Sequence, residues 1–225
     1  MDKRFLAILA VIVVAFAGVI VINNHKKNAT QNSSTTSASS AGATNHIEGN
    51  AASKVTLVEY GDYECPVCEA YYPAVQQVQQ KYNATVKFQF RNLPLSSIHP
   101  NALAGARAAE AADMQGKFWG MHDALYNSSN WQQWSTSSDP QPYFTQYATS
   151  LGLNVTKFNS DYKSIAVNDR IQADLGEFGK TGQQEATPTF FLNGQYISNA
   201  SLVDNNGPSA AAFGKVLDAA LKSAK

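Results

Sequence analysis

The chain of 225 residues has no net charge, because its 17 lysine and arginine residues balance its 17 aspartate and glutamate residues. Proteins that bind nucleic acid usually carry a basic excess or a basic stripe. A chain with equal numbers of basic and acidic residues has no net positive charge to attract nucleic acid, so we expect no nucleic-acid partner.

Cysteine is scarce, with only Cys65 and Cys68 in the whole chain. Two cysteines three positions apart cannot join distant segments, which excludes a disulfide framework. A structural zinc site needs about four ligands, and the four histidines are scattered, so we predict no metal site. Two inert buried thiols are the alternative to a reactive pair. The proline between the cysteines favours the reactive pair.

Long apolar runs are also scarce. The one candidate covers residues 5–22, which contain no charge and follow Lys3 and Arg4. A run of this length is just sufficient to span a bilayer. No small-residue cleavage site follows it closely, which favours an uncleaved signal anchor over a cleaved secretory signal. The two basic residues would hold the N-terminus in the cytoplasm. We therefore predict a single-pass protein of the cytoplasmic membrane with its main domain outside, in a periplasm or cell wall.

Large apolar residues are nearly absent from residues 23–53, which are rich in Asn, Ser, Thr, Ala and Gly. Such a segment buries too little surface to offset the entropy of ordering. The chain is therefore divided into an anchor over 1–22, a disordered tether over 23–53 and a folded domain over 54–225.

The folded part begins with a β-branched and aromatic run, Val55 to Tyr60, which predicts a strand. Apolar residues then recur at helical spacing from Pro66 to Tyr82, and residues 86–91 alternate as a second strand. A proline is tolerated in the first turn of a helix. Cys65 is therefore predicted to lie at a helix N-terminus.

A helical pattern occupies about residues 98–180. It is followed by a hairpin over 189–197, whose Asn193-Gly194 favours a two-residue turn, and by a helix from Ser209 to Ala224. The order β-α-β, helical block, β-β-α predicts an α/β protein. It is the connectivity of a thioredoxin fold with an inserted all-helical domain.

The position of Cys65 suits disulfide exchange, in which a thiolate is the attacking and the leaving species. A free thiol with a pKa of about 8.5 is mostly protonated at neutral pH, and a helix N-terminus lowers that pKa. Cys68, one turn further into the helix, should be shielded. We predict that Cys65 exchanges with other thiols and that Cys68 resolves the mixed disulfide.

Three motifs strengthen this interpretation. They are the run from Tyr60 to Cys68, the run His99-Pro100-Asn101-Ala102 that leads through an alanine-rich helix to Gly116-Lys117-Phe118-Trp119, and the run from Ala186 to Phe190. Together they resemble the bacterial DsbA-like disulfide oxidoreductase family over about residues 50–225.

The resemblance implies roles for three further residues. Pro188 matches the family's cis-proline beside the cysteines, although an ordinary trans proline that starts a strand is the alternative. Thr187 before it would tune the redox pair and the choice of partner. Glu59 resembles a buried acid that relays the proton of Cys68; an edge position that reaches water is the alternative. Glu64 is interpreted as a solvated loop charge.

The resemblance also implies an activity, namely donation of the Cys65–Cys68 disulfide to reduced exported proteins. A quinone-linked membrane oxidase of the DsbB or vitamin K epoxide reductase type would reoxidise the pair, and no organic cofactor is needed. Val67 stands where the strongest oxidants of the family carry histidine, which leaves an exported reductase or an isomerase open. A client-binding chaperone module without redox turnover is the alternative of another class.

Overall fold

The computed structural model describes residues 42–224, and the predicted anchor over 1–22 and most of the predicted tether lie outside this range. Within it, no helix combines the length and the apolar character that a membrane span requires.

The central sheet has five strands in the order β1-β3-β2-β4-β5. These strands are β1 (His46–Gly49), β2 (Thr56–Gly61), β3 (Lys87–Asn92), β4 (Thr189–Leu192) and β5 (Gln195–Ile197). β2 and β3 are parallel, and the other neighbours are antiparallel. A parallel pair requires a crossover, and the helix α1 (Pro66–Tyr82) provides it with the bounds that the sequence predicts.

Six helices lie between residues 98 and 180, where the sequence predicts the helical insertion. They are α2 (Ala102–Asp113), α3 (Phe118–Tyr126), α4 (Ser128–Trp134), α5 (Gln141–Ser150), α6 (Val155–Tyr162) and α7 (Ile165–Lys180). The chain ends in α8 (Ala210–Ser223), after a short ribbon of Val203–Asp204 and Gly207–Pro208. The predicted thioredoxin connectivity with a helical insertion is thus confirmed.

The two faces of the sheet bury different sets of side chains. One face packs Leu57, Phe88 and Phe190 against α1 and α8. The other face places Tyr60 and Phe191 against residues that include Phe178 of α7. This alternation follows from the two-residue period of a strand, and it leaves β2 buried on both sides.

The insertion packs directly against the loop that follows β2. In α2 all the alanine side chains except Ala104 are buried, and Gly105 approaches so closely that a Cβ there would lie 2.9 Å from the Cβ of Tyr63. Small residues therefore allow the helix backbone to contact the loop that carries the cysteines.

The predicted tether is wrong over its last residues, because part of it is the strand β1, which pairs antiparallel with β3. Thr44 and His46 are buried although both are polar. The buried carboxylate of Asp174 accepts hydrogen bonds from the Thr44 backbone N–H at 2.7 Å and from its hydroxyl, and His46 Nε2 lies 2.6 Å from Glu110 Oε1. Pairing with distant carboxylates, rather than apolar burial, orders this segment.

The hairpin between β4 and β5 has the predicted two-residue turn. Asn193 and Gly194 both take positive φ angles, of 50° and 79°, as this turn requires. The turn brings β5 to the edge of the sheet beside β4.

Candidate redox-active site

The two cysteines lie where β2 gives way to α1. β2 ends at Gly61, and Cys65 is the N-cap of α1, with Pro66 in the first turn. The Cys65 backbone N–H donates to the carbonyl of Asp62 at 3.1 Å, which closes the turn between strand and helix. Because the first N–H groups of a helix lack intrahelical partners, the sulfur at this position faces hydrogen-bond donors.

The Cys65 thiol is the acidic member of the pair, with its pKa lowered from 9.0 to about 5. The largest cause is a hydrogen bond from the Cys68 thiol. Burial opposes the shift, and Thr187 and the backbone N–H groups of Cys68 and Val67 contribute further lowering. The helix N-terminus thus acts as the sequence predicts, although the second cysteine has the larger effect.

Cys68 differs from its partner in both exposure and acidity. Cys65 is 5% exposed and Cys68 is 1% exposed. Burial raises the pKa of Cys68 well above its usual range, and the neighbouring Cys65 and Glu59 raise it further. At neutral pH the pair therefore consists of a Cys65 thiolate and a Cys68 thiol.

The peptide bond between Thr187 and Pro188 is cis, as the resemblance implied. The Cys65 sulfur lies 3.4 Å from the Thr187 carbonyl oxygen. The Thr187 hydroxyl is buried without a hydrogen-bond partner that meets normal geometry, and it lies close enough to the Cys65 sulfur to lower its pKa. The chain thus brings Thr187 and Pro188, which directly precede β4, to the cysteines.

Glu59 is buried in the middle of the sheet, 9% exposed, between Phe90 of β3 and Phe190 of β4 in the strand register. The alternative of an edge position is therefore wrong. Burial, followed by the negative charge of Cys65, raises the pKa of Glu59 to about 8. A carboxyl group with this pKa can exchange protons near neutral pH.

The loop before Cys65 is held by carboxylates. The side chain of Asp62 is buried and accepts hydrogen bonds from the backbone N–H groups of Glu64 at 2.8 Å and Leu95 at 2.9 Å. Its other contact is His99 Nδ1, at 2.6 Å. Sequence reasoning gave Asp62 no role, although it stands inside one of the three motifs.

Glu64 is 8% exposed, so its interpretation as a solvated loop charge is wrong. Its carboxylate accepts a hydrogen bond from the backbone N–H of Asn101 at 2.5 Å, at the start of α2. A second tie joins the loop to the insertion, because Trp131 Nε1 donates to the Tyr63 carbonyl at 2.8 Å. The insertion therefore fixes the backbone on which Cys65 is presented.

One cluster away from the cysteines has the residue types of a metal site. His46, Glu110 and Asp113 bring their ligand atoms within 4.8 Å of one another. Arg170 Nε forms an ion pair with Glu110 Oε2 at 2.7 Å, and its guanidinium also pairs with Asp113. One cationic side chain thus already pairs with both carboxylates, and the cluster is an ion-pair network that joins β1, α2 and α7.

Comparison with known proteins assigns the family. A family model described as thioredoxin matches residues 41–218. Segments of two proteins named Na(+)/H(+) antiporter are similar: NhaA 1 of Mycolicibacterium gilvum is 34% identical over 153 residues, and NhaA 3 of Salinispora tropica is 36% identical over 152. Each alignment covers 67% of this chain but only 24% and 22% of the antiporters. The aligned part is therefore about a quarter of the length of these curated relatives.

Solved structures share the fold. A thioredoxin-like oxidoreductase from Silicibacter pomeroyi is 24% identical with a TM-score of 0.62, covering 79% of this chain and 92% of that one. BdbD from Bacillus subtilis is 22% identical with a TM-score of 0.60, covering 78% and 92%. DsbA2 from Pseudomonas aeruginosa is 26% identical with a TM-score of 0.52, covering 68% and 85%. The chain therefore belongs to the thioredoxin family, and its fold, with the helical insertion, is similar to that of solved DsbA structures.

Proposed function

We propose that the chain is a thiol-disulfide oxidoreductase that works as a dithiol oxidase and donates its Cys65–Cys68 disulfide to reduced exported proteins. One observation carries this proposal, namely the inequality of the two thiols. The pKa of Cys65 is lowered to about 5, whereas that of Cys68 is raised. Stabilisation of the Cys65 thiolate favours the reduced form of the pair, and a pair whose reduced form is stabilised is a strong oxidant.

The geometry supports a definite order of steps. A substrate thiolate attacks Cys65, the more exposed sulfur, and Cys68 leaves and takes up a proton. A second substrate thiol then attacks the substrate sulfur of the mixed disulfide, and Cys65 leaves as its stabilised thiolate. The substrate gains a disulfide and the Cys65–Cys68 pair is left reduced.

The surface beside Cys65 suits an extended peptide segment. Val67 in the first turn of α1 is 47% exposed, and the Thr187 carbonyl of the cis peptide before Pro188 lies 3.4 Å from the Cys65 sulfur. An apolar side chain of a substrate would cover Val67, while its backbone would run along the Thr187–Pro188 segment. A quinone-linked membrane oxidase of the DsbB or vitamin K epoxide reductase type is the proposed partner that returns the pair to the disulfide.

We place this activity outside the cytoplasm, at the cytoplasmic membrane. The uncharged run over residues 5–22, with Lys3 and Arg4 before it, supports this location. The similarity to segments of proteins named Na(+)/H(+) antiporter also favours action at a membrane, because antiport takes place across one.

The reduction potential of the pair tests the proposal. The protein is equilibrated in glutathione buffers of graded poise, and the two thiols are trapped and counted. A potential of about −180 to −120 mV supports the oxidase, and one of about −270 mV overturns the direction in favour of an exported reductase. Failure to form the disulfide would refute redox exchange altogether.

A variant separates the enzyme from a client-binding chaperone. Cys65→Ser should abolish the oxidation of a dithiol peptide, because no sulfur remains for the substrate to attack. A chaperone would retain its activity in Cys65→Ser. Cys65→Ser should therefore be assayed both for dithiol oxidation and for suppression of client aggregation.

A further inference from the structure

His122 of α3 occupies an aromatic box. It is 2% exposed, and its ring lies within 6.1 Å of six aromatic rings, measured between centroids: Tyr63, Tyr72, Phe90, Phe118, Trp119 and Tyr126. A phenylalanine would serve such a box equally well. The imidazole instead places Nδ1 at 3.2 Å from Asp123 Oδ1.

A small cavity connects His122 to Glu59. Both residues line it, together with Gln79 of α1 and the rings of Phe90 and Trp119. The cavity provides about 10 Å³ to the centre of a water molecule, which is about the space that one water needs. The cavity is therefore large enough for one water molecule among side chains that include Glu59 and His122.

A polar cleft of about 510 Å³ lies beside Asp123, the residue that follows His122. Asp123 lines this cleft with a side chain that is 52% exposed, and Gln79 lines both the cleft and the small cavity. Gln79 thus borders both spaces, and the contact between His122 and Asp123 links a residue of the cavity to a residue of the cleft.

The disulfide cycle needs such a route. Cys68 must gain a proton each time it leaves and lose it each time it attacks, yet Cys68 is 1% exposed. Glu59 interacts electrostatically with Cys68, but Glu59 is buried as well. A proton that reaches Glu59 still has to cross the interior to reach water.

We propose that His122 is a proton-relay residue that connects Glu59 with Asp123 and the solvent-filled cleft. This inference rests on the proposed redox function. When the pair is reoxidised, Cys68–SH gives its proton to the Glu59 carboxylate and its sulfur attacks Cys65 in the mixed disulfide. The Cys68 sulfur is oxidised, and the partner's sulfur is reduced and leaves as a thiolate.

The proton then leaves Glu59 across the cavity. His122 Nε2 accepts it through the water, and Nδ1–H passes a proton to Asp123, so the ring returns to a neutral form with its tautomer exchanged. In substrate oxidation the same groups carry a proton inward to Cys68. Glu59 remains the direct proton partner of Cys68, and His122 acts through it.

The groups around His122 are suited to this role. Tyr63, Tyr72 and Tyr126 face the ring, and burial raises the pKa of each of them, so they stay neutral. Burial would lower the pKa of His46 on β1, but the carboxylates of Asp113 and Glu110 outweigh it and raise this pKa.

The cleft carries negative charge, because both Glu48 of β1 and Asp123 line it. Burial, together with the charge of His46, lowers the pKa of His122, and the carboxylate of Asp123 opposes this shift. His122 is therefore neutral at pH 7, ready to accept at one nitrogen and donate from the other.

Ring closure is the step to measure. The reduced full-length protein is mixed with glutathione disulfide, and the mixed disulfide on Cys65 is followed by acid quench and mass spectrometry as it converts to Cys65–Cys68. We expect His122→Gln and Asp123→Asn each to slow this conversion about tenfold at pH 7, which is less than the roughly 10²–10⁴-fold of a direct general acid or base, because His122 acts through Glu59. The loss should shrink towards pH 9, where hydroxide replaces the relay. The reduction potential should not change, because a relay alters rates only.

Glu177→Gln is the matched control. It removes one surface carboxylate that pairs with Lys180 on α7, and its closure rate should equal that of the unmodified protein. Closure rates in both test variants equal to this control would overturn the relay. A slower rate in His122→Gln alone, equal in size at every pH, would assign His122 a structural role and also overturn it.

If His122→Gln does not fold, Asp123→Asn decides alone, because Asp123 is half exposed and its amide keeps the shape. A thioredoxin-like potential with slowed closure would reject the proposed direction and keep the relay. An oxidase-like potential with an unchanged closure rate would support the proposed direction and reject the relay.

Discussion

His99 Nδ1 lies 2.6 Å from Asp62 Oδ2, although the two residues are 37 positions apart. The same Asp62 carboxylate accepts the backbone N–H groups of Glu64 and Leu95. One buried side chain thus joins the end of β2, the loop after β3 and the approach to α2. Asp62 and His99 therefore set the path of the backbone that delivers Cys65 to the helix N-terminus.

Removal of the second thiol should make the first one less acidic. The hydrogen bond from Cys68 is the largest cause of the low pKa of Cys65, so Cys68→Ala should raise this pKa, while Cys68→Ser, which keeps a donor, should raise it less. The pH dependence of iodoacetamide alkylation gives the value. An unchanged pKa in Cys68→Ala would show that the Thr187 hydroxyl and the backbone N–H groups stabilise the thiolate without the Cys68 thiol.

The Thr187 hydroxyl contributes a smaller part of the same effect. Thr187→Val should raise the pKa of Cys65 less than Cys68→Ala does, and it should shift the reduction potential towards the reductases, because a less stable thiolate weakens the oxidant. Thr187→Ser keeps the hydroxyl and is the matched control. Equal potentials in the valine and serine variants would contradict a role for the hydroxyl.

Stability should depend on pH differently in the two redox states. The pKa of Cys65 is lowered on folding, from 9.0 to about 5. Its thiolate therefore stabilises the reduced protein fully above pH 9, and this stabilisation is lost as pH falls towards 5. Four units correspond to at most about 5 kcal/mol. The oxidised protein has no thiolate and lacks this contribution.

Urea denaturation of both forms between pH 5 and 9 checks the difference. The free energy of unfolding of the reduced form, minus that of the oxidised form, should increase with pH. A difference that stays constant over this range would contradict a stabilised thiolate, and therefore also the observation on which the proposed function depends.

Glu59 should have the opposite effect on stability. Its folded pKa is raised to about 8 from 4.5, so the stability present below pH 4.5 is lost as pH rises through 8. Glu59→Gln should therefore be more stable than the unmodified protein at pH 9, and the advantage should disappear at pH 4. Denaturation of the oxidised form, which has no Cys65 charge, isolates the contribution of burial, the larger cause of the raised pKa of Glu59. If the difference in free energy of unfolding between Glu59→Gln and the unmodified protein did not change with pH, the pKa of Glu59 would not be raised on folding.

The segment before residue 50 should be part of the folded domain. A variant that begins at Asn50 loses Thr44 and His46 and leaves Asp174 and Glu110 with fewer partners. Removal of one partner from a buried pair costs about 3 to 5 kcal/mol, and urea denaturation should show a loss of this order. A variant that begins at Gly42 is the control, and equal midpoints would assign this segment to the tether.

The sequence predicts most of the fold because the relevant signals are local. The bounds of α1 follow from a proline in its first turn and apolar residues at helical spacing, and the turn at Asn193-Gly194 follows from residues that tolerate positive φ. The cysteine pair is found by its spacing. Each of these features is encoded within one stretch of chain.

The features that the sequence does not predict depend on distant polar pairs. Thr44 contacts Asp174 130 positions later, and Glu64 contacts Asn101 37 positions later. Neither contact leaves a periodic pattern, so Thr44 resembles a tether residue and Glu64 a loop charge. The cavity shared by Glu59 and His122 is equally invisible, because it exists only when the insertion packs on the sheet.

The strand β1 lies along β3, at one end of the five-stranded sheet. Without it, β3 would present a row of unpaired N–H and C=O groups, on residues that include Phe88 and Phe90, to any other chain. Strand edges of this kind pair readily between molecules and lead to aggregation. The four residues His46–Gly49 thus cover the edge of β3 and protect the domain from aggregation. Expression of the domain without them should favour insoluble protein.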